Sequence, residues 1–411
     1  MGIISEGTKN FSALEEQIGN NLEQLELLSN DVRTRLLETE NIVTFSREYD
    51  NLPPLLTVDG GVVNEKLSHT DLIITGASLG ESSYEQPGGP IYTDEDDIPA
   101  TAYVVMLQHD SKNSNVANSL MAIQEIALIG RCLTDHEEAL IIIDGGWLSS
   151  LTTIIIELTS SKASALALYD FIAENRALMP YIKKTIKTIT NPDEASRKLV
   201  ALSKSDSKGI WIDRLEEIDK ELGDRMRTRK IRDRALASTI LKSGEALSPT
   251  YIDAGHSLIK GLDKWVDQGS KLYFDKDRND PEIKALLTWI LKYSHTNVPN
   301  LHVRNGAKLW STYFKPNNFA NSSKALRIEF IRETALVNPE HPHTSALVLV
   351  EDVIKYLNCI DEDVVADNIL EPWCQYIADR RAKEVSQLAN IVRMSLASGK
   401  HAGFFLNNYR T

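Results

Sequence analysis

Apolar residues recur along this chain with two different periods, and the switches between them mark its elements. Leu14, Ile18, Leu22, Leu25 and Leu28 keep a three-to-four spacing with acids and amides between them. That predicts one long amphipathic helix over 9–47, which either packs on the core or serves as an arm for a dimer contact. Asn51-Leu-Pro-Pro54 stops it, because proline cannot continue the helical hydrogen-bond ladder. Short apolar runs follow. Leu55–Val58, Asp71–Ser78 and Thr101–Gln108 predict strands, while 80–99, rich in Gly, Pro, Ser and acids, reads as a long exposed loop. Helical spacing returns over Asn115–Cys132, and Ala139–Ile143 is a wholly apolar strand.

The second half continues the alternation. Residues 149–189 are mainly helical, and Lys198–Ser203 reads as a strand. The stretch 208–295 is helical and highly charged, and looks like an insertion or cap. Residues 307–315 and 324–331 form a β-pair around the Pro316-Asn317-Asn318 turn signal. Helices over 344–358 and 371–397 finish the chain. Strands joined by helices argue for an α/β fold. The organisation reads as an N-terminal helical arm (1–50), a first part of the core (51–207), a helical insertion or cap (208–300) and a second part of the core (301–411).

Composition narrows the function classes. The chain has 411 residues, enough for two or three domains or one large domain with insertions. With 42% hydrophobic and 25% charged residues, it is not collagenous, disordered or membrane-spanning. A net charge of −13 excludes a uniformly basic nucleic-acid coat but leaves room for a local basic groove. Cys132, Cys359 and Cys374 stand far apart with no CxxC pair. A cysteine zinc site and a disulfide framework are therefore not expected, and a reducing cytoplasm suits the usage. The N-terminus shows no basic and apolar leader pattern, and the longest apolar run, near Ile141, is too short to span a bilayer. There is no Walker A sequence, no GxGxxG fingerprint and no HExxH.

The chemistry-bearing feature is a pair of similar strand ends, Leu55-Leu-Thr-Val-Asp59-Gly-Gly and Leu140-Ile-Ile-Ile-Asp144-Gly-Gly. Each places a carboxylate at the C-terminal end of an apolar strand, the edge where open α/β sheets collect ligands. The glycines bend the chain and let a ligand approach the backbone. Two carboxylates side by side need a cation, and hard oxygen ligands suit Mg²⁺ or Mn²⁺. Asp-Gly is also ordinary turn chemistry, and periodicity alone does not separate the two readings. Glu125 lies in an apolar helix, where by itself it would point outward. Arg225-Met-Arg227-Thr-Arg229-Lys230-Ile-Arg232-Asp-Arg234 is a candidate phosphate-tracking surface for DNA. Glu216, Glu217 and Glu221 just upstream allow the alternative of a solvated, salt-bridged helix.

The order of these motifs resembles the NurA nuclease family. Val58-Asp59-Gly-Gly is similar to the family's first strand motif, Glu125 stands where the family carries its helical acid, and Ile143-Asp144-Gly-Gly resembles its second Asp-Gly strand end. Ala201-Leu-Ser-Lys204-Ser205 looks like its strand ending in Ser/Ala-Lys-Ser/Thr, and Ala325-Leu-Arg-Ile-Glu329 like its Arg-hydrophobic-Glu strand. His341-Pro-His343-Thr followed by Leu347-Val-Leu-Val-Glu351 resembles its late Tyr-Pro segment, with histidines where aromatics are usual. The resemblance implies an RNase H-like central mixed sheet flanked by helices, with the long N-terminal helix and helical insertion added. It implies a Mn²⁺- or Mg²⁺-dependent deoxyribonuclease in which Asp59, Glu125 and Asp144 hold the metal. Lys204 would neutralise the scissile phosphate. The fourth ligand is Glu351, His341 or His343. It also implies a homodimer working with a HerA-type hexameric ATPase in DNA repair or anti-phage defence. The competing readings are a non-catalytic DNA-clamping or adaptor subunit of that ATPase, and an enzyme acting on RNA or a hybrid.

Overall fold

The structure is a computed structural model. It describes residues 26–45, 53–67, 69–82, 100–190, 198–203, 209–252, 256–269, 277–298, 307–316, 325–333 and 372–398, with a few single positions besides. Its frame is one mixed sheet of ten strands. In chain order these are β1 (Ile42–Thr44), β2 (Leu55–Lys66), β3 (Thr70–Ser82), β4 (Ala100–Gln108), β5 (Leu140–Asp144), β6 (Leu199–Ser203), β7 (Glu245–Leu247), β8 (Thr250–Tyr251), β9 (Ala307–Lys315) and β10 (Leu326–Glu333). The lateral order is β1-β7-β9-β10-β6-β5-β2-β3-β4, with β8 pairing β9. β5 runs parallel to both β2 and β6, and the other pairings are antiparallel.

The central strands are buried on both faces, so their side chains divide by the period of two. Leu56, Val58, Ile141, Ile143, Leu199 and Ala201 face one large core. Its helical layer is α2 (Asn113–Asp135), α3 (Ser149–Ser160), α4 (Lys162–Glu174), α5 (Met179–Thr190), α9 (His256–Asp267) and α10 (Pro281–Asn297). Leu55, Ile142, Val200 and Leu202 face the other way, onto a cluster with Trp310, Phe330 and Cys374. Cys374 belongs to the C-terminal helix α11 (Trp373–Ala382), which is followed by α12 (Val385–Ser398). A third cluster joins the helical residues 26–38 (α1) with α6 (Ile210–Ile218), α7 (Lys220–Thr228) and α8 (Asp233–Ile240) against β1, β7 and β9. By length and hydropathy α2 could cross a bilayer. In the fold it is the central core helix, and 78% of its most apolar stretch is buried.

This is the mixed, helix-flanked sheet expected from the sequence, with four local corrections. The N-terminal helix ends by Glu38 and residues 42–44 form a strand, because Glu40 takes a positive φ of 54° that breaks the helix. β2 does not end at Asp59; it runs on through Gly60 and Gly61 to Lys66. The stretch 208–295 is not wholly helical. β7 and β8 lie within it and pair with β1 and β9, and strands of three and two residues are too short to show a period. The final helical stretch is two helices rather than one, broken between Ala382 and Val385.

Candidate active site

Asp59, Glu125 and Asp144 come from three separate elements and line one pocket of about 480 Å³. Asp59 lies in mid-β2 and is 7% exposed. Asp144 ends β5. The parallel register pairs Val58 with Ile143, so Asp59 and Asp144 follow on neighbouring strands, side by side. Beyond Asp144 the chain turns at Gly145, whose φ of +98° few side-chain-bearing residues adopt. Glu125 reaches the pocket from α2. Asn118, Met121, Ser149, Ser150, Thr153 and Ser203 complete much of the wall.

The two glycines after Asp59 serve close approach, not a turn. A Cβ on Gly60 would lie 2.4 Å from Glu125 Oε1 and 2.5 Å from Met121 Cγ. A Cβ on Gly61 would lie 2.0 Å from the backbone oxygen of Ala382 on α11. One glycine therefore admits α2 on one face of the sheet, and the next admits α11 on the other.

Hydrogen bonds set the carboxylates. Gly60 N–H donates to Asp59 Oδ1 at 2.8 Å, and it also faces Glu125. Ser150 Oγ donates to Glu125 Oε2 at 2.6 Å. Burial pushes the Glu125 carboxyl up to about 7; the Ser150 hydroxyl and the Gly60 amide pull it down, and the Asp144 charge adds to the rise. Gln375 Nε2, on α11, donates to Asp144 Oδ1. Behind the Asp144 turn, Trp147 N–H donates to Glu329 Oε2 at 2.8 Å, and Glu329 in turn pairs with Arg327. The Arg-hydrophobic-Glu strand thus braces the turn from β10.

Hard carboxylate oxygens around one pocket, with Glu125 held up by burial and by its anionic neighbour, are a donor set that a divalent cation suits. Asp59 and Asp144 share the strand parity of Leu55 and Ile142, whereas Glu125 arrives from the opposite helical layer. Accordingly, among the described residues no three His, Cys, Asp or Glu side chains converge tightly enough to cage a metal.

The other expected residues are placed differently. Lys204, His341 and His343 lie outside the described residues. Glu351 pairs with Lys355 at 2.7 Å and does not line the pocket. In the basic stretch, Arg227 pairs with Asp213 at 2.6 Å and Glu216 at 2.5 Å, and Arg225 approaches Asp31 at 3.7 Å. Lys230 takes a positive φ of 54° just after α7, and Arg229 and Arg232 flank it. This stretch belongs to the helical unit on β1, β7 and β9, away from the pocket wall. Sequence reasoning missed Ser150 and Gln375. Ser150 carried a signal, standing six residues past Asp144 at the start of a helix. Gln375 carried none.

No protein-family model matches this chain, and no curated protein sequence does. Solved structures do. The NurA nuclease from Sulfolobus solfataricus is 11% identical, superposes with a TM-score of 0.53 and covers 95% of this chain and 97% of its own. A NurA bound to dAMP and manganese is 13% identical over 94% of this chain and 97% of its own, at a TM-score of 0.40. This chain therefore has the fold of a NurA nuclease along nearly its whole length.

Proposed function

We propose that this protein is a divalent-cation-dependent DNA nuclease that hydrolyses phosphodiester bonds, with Asp59, Glu125 and Asp144 as the cation ligands and Mn²⁺ or Mg²⁺ as the cofactor. The observation that carries the reading is that these three carboxylates, from β2, α2 and β5, line one open pocket in a NurA-like fold. A bound cation would supply the charge neutralisation and water activation that phosphodiester hydrolysis needs. The chain's own residues do the rest. Ser150 and the Gly60 amide orient Glu125, and the same amide orients Asp59, so the carboxylates are held in place at the pocket wall. Gly60, lacking a Cβ, keeps the floor of the pocket open beside Glu125. Lys204, just past β6, is assigned to the scissile phosphate by the motif resemblance. Partnership with a HerA-type hexameric ATPase, a homodimeric state and work in repair or defence belong to the same proposal, supported by the fold likeness.

Cleavage of end-labelled linear and circular DNA in Mn²⁺, Mg²⁺ or EDTA tests it. Metal-dependent cleavage by the wild type, lost in Asp59→Ala and in Asp144→Ala with melting curves kept, is expected. DNA binding without cleavage by the wild type, with and without the cognate ATPase, would replace the nuclease by a DNA-clamping adaptor.

A further inference from the structure

We propose that Gln375 is a positioning residue for Asp144, and that α11 is thereby a working part of the site rather than a covering helix. The inference rests on the nuclease reading above.

Gln375 is 1% exposed, and its side-chain amide donates to Asp144 Oδ1 across a sequence separation of 231 residues. A carboxylate only accepts, so the amide nitrogen is the end that must face it. One oxygen of Asp144 is thus engaged from α11, which restricts its rotation. Such outer partners fix the orientation of a ligating group, and their loss typically weakens metal binding ten- to a hundredfold.

The placement of the helix is built in by glycines. A Cβ on Gly80 of β3 would lie 1.9 Å from the backbone oxygen of Cys374, the residue next to Gln375. With Gly61 against Ala382, both ends of α11 touch the sheet at positions where only glycine fits. Thr57 Oγ1 donates to Cys374 Sγ at 3.1 Å, two residues before Asp59 on the same strand. Strand β2 therefore carries Asp59 and also seats the helix that holds Asp144.

The test is a double-mutant cycle read by Mn²⁺ binding in calorimetry and, separately, by cleavage. Gln375→Met keeps the length and removes the donor. It should weaken Mn²⁺ binding by about tenfold or more in the wild-type background. It should change binding less than about twofold where Asp144→Ala has already removed its partner. A merely structural glutamine would give the same loss in both backgrounds, or none, and either result overturns the proposal while wild-type cleavage keeps the nuclease reading intact. Should Gln375→Met not fold, Gln375→Asn stays polar but withdraws the amide by one methylene, and the same two affinities decide. A wild type that neither binds Mn²⁺ nor cleaves would remove the function reading and this inference together.

Discussion

At the scale of single residues, Glu125 is the group whose state depends most on its surroundings. Its carboxyl is raised from an ordinary value of 4.5 to about 7, first by burial, with the Asp144 charge adding to it. The folded protein therefore binds more protons at this position than the unfolded chain between those pH values. The contribution of Glu125 to stability falls as pH rises through that window, and levels off above about 7. Thermal melts in EDTA should show the wild type losing ground to Glu125→Gln across the window; parallel curves would mean that the carboxyl is not raised. Ser150→Ala removes a donor to the ionised form, so it should push the upper end of the window higher. The same scale shows what could be read in advance. Asp59 and Asp144 stood out because each closes an apolar run in the same pattern, and Glu125 stood out only through the family resemblance. Gln375 was illegible, since an isolated glutamine in a helix acquires its role from a partner far away in the chain.

At the scale of elements, the adjacent glycines of β2 should fail differently. A methyl on Gly61 meets backbone, the Ala382 carbonyl at 2.0 Å, and only movement of α11 relieves it. A methyl on Gly60 meets side chains, the Oε1 tip of Glu125 and the Cγ of Met121, which new rotamers can move aside. Gly61→Ala should therefore lower stability by about 1–3 kcal/mol, the usual range for overpacking, as a shifted denaturation midpoint. Gly60→Ala should cost less stability and, if Glu125 serves the cation as proposed, more Mn²⁺ affinity. Equal losses in both variants would count against separate roles. The mid-strand position of these glycines explains the misreading of β2. Gly-Gly after an apolar run has turn chemistry locally, and only the helices above and below show that the strand goes on. Elements with a long period were readable: α2, α3 to α5, and the pairing of β9 with β10 follow the expected segments closely. β1, β7 and β8 were hidden by their shortness, and their pairing is decided by neighbours contributed from far along the chain.

At the scale of the whole molecule, the proposed function asks an acidic pocket on a chain of net charge −13 to meet a polyanion. Under the proposed function, cations at the pocket would neutralise charge locally, but holding a length of DNA would require basic surface elsewhere. The stretch from Arg225 to Arg232 sits on the unit packed against β1, β7 and β9, of which β9 is nearest the pocket, four strands along the sheet from β2. That is about 19 Å at the usual strand spacing, a reach that about six base pairs would span. Arg227 is already paired with Asp213 and Glu216, yet these are solvent-screened surface pairs, and phosphates compete for such a guanidinium readily. Replacing Arg225, Arg227, Arg229, Lys230 and Arg232 by glutamine should therefore weaken DNA binding. It should also lower the slope of log affinity against log salt by about 0.9 for each phosphate that is no longer neutralised, with Mn²⁺ binding at the pocket unchanged. A salt slope identical to the wild type would instead show that these charges hold only their own acidic neighbours. The DNA path would then have to be sought on the pocket side of the sheet, near α2 and α3.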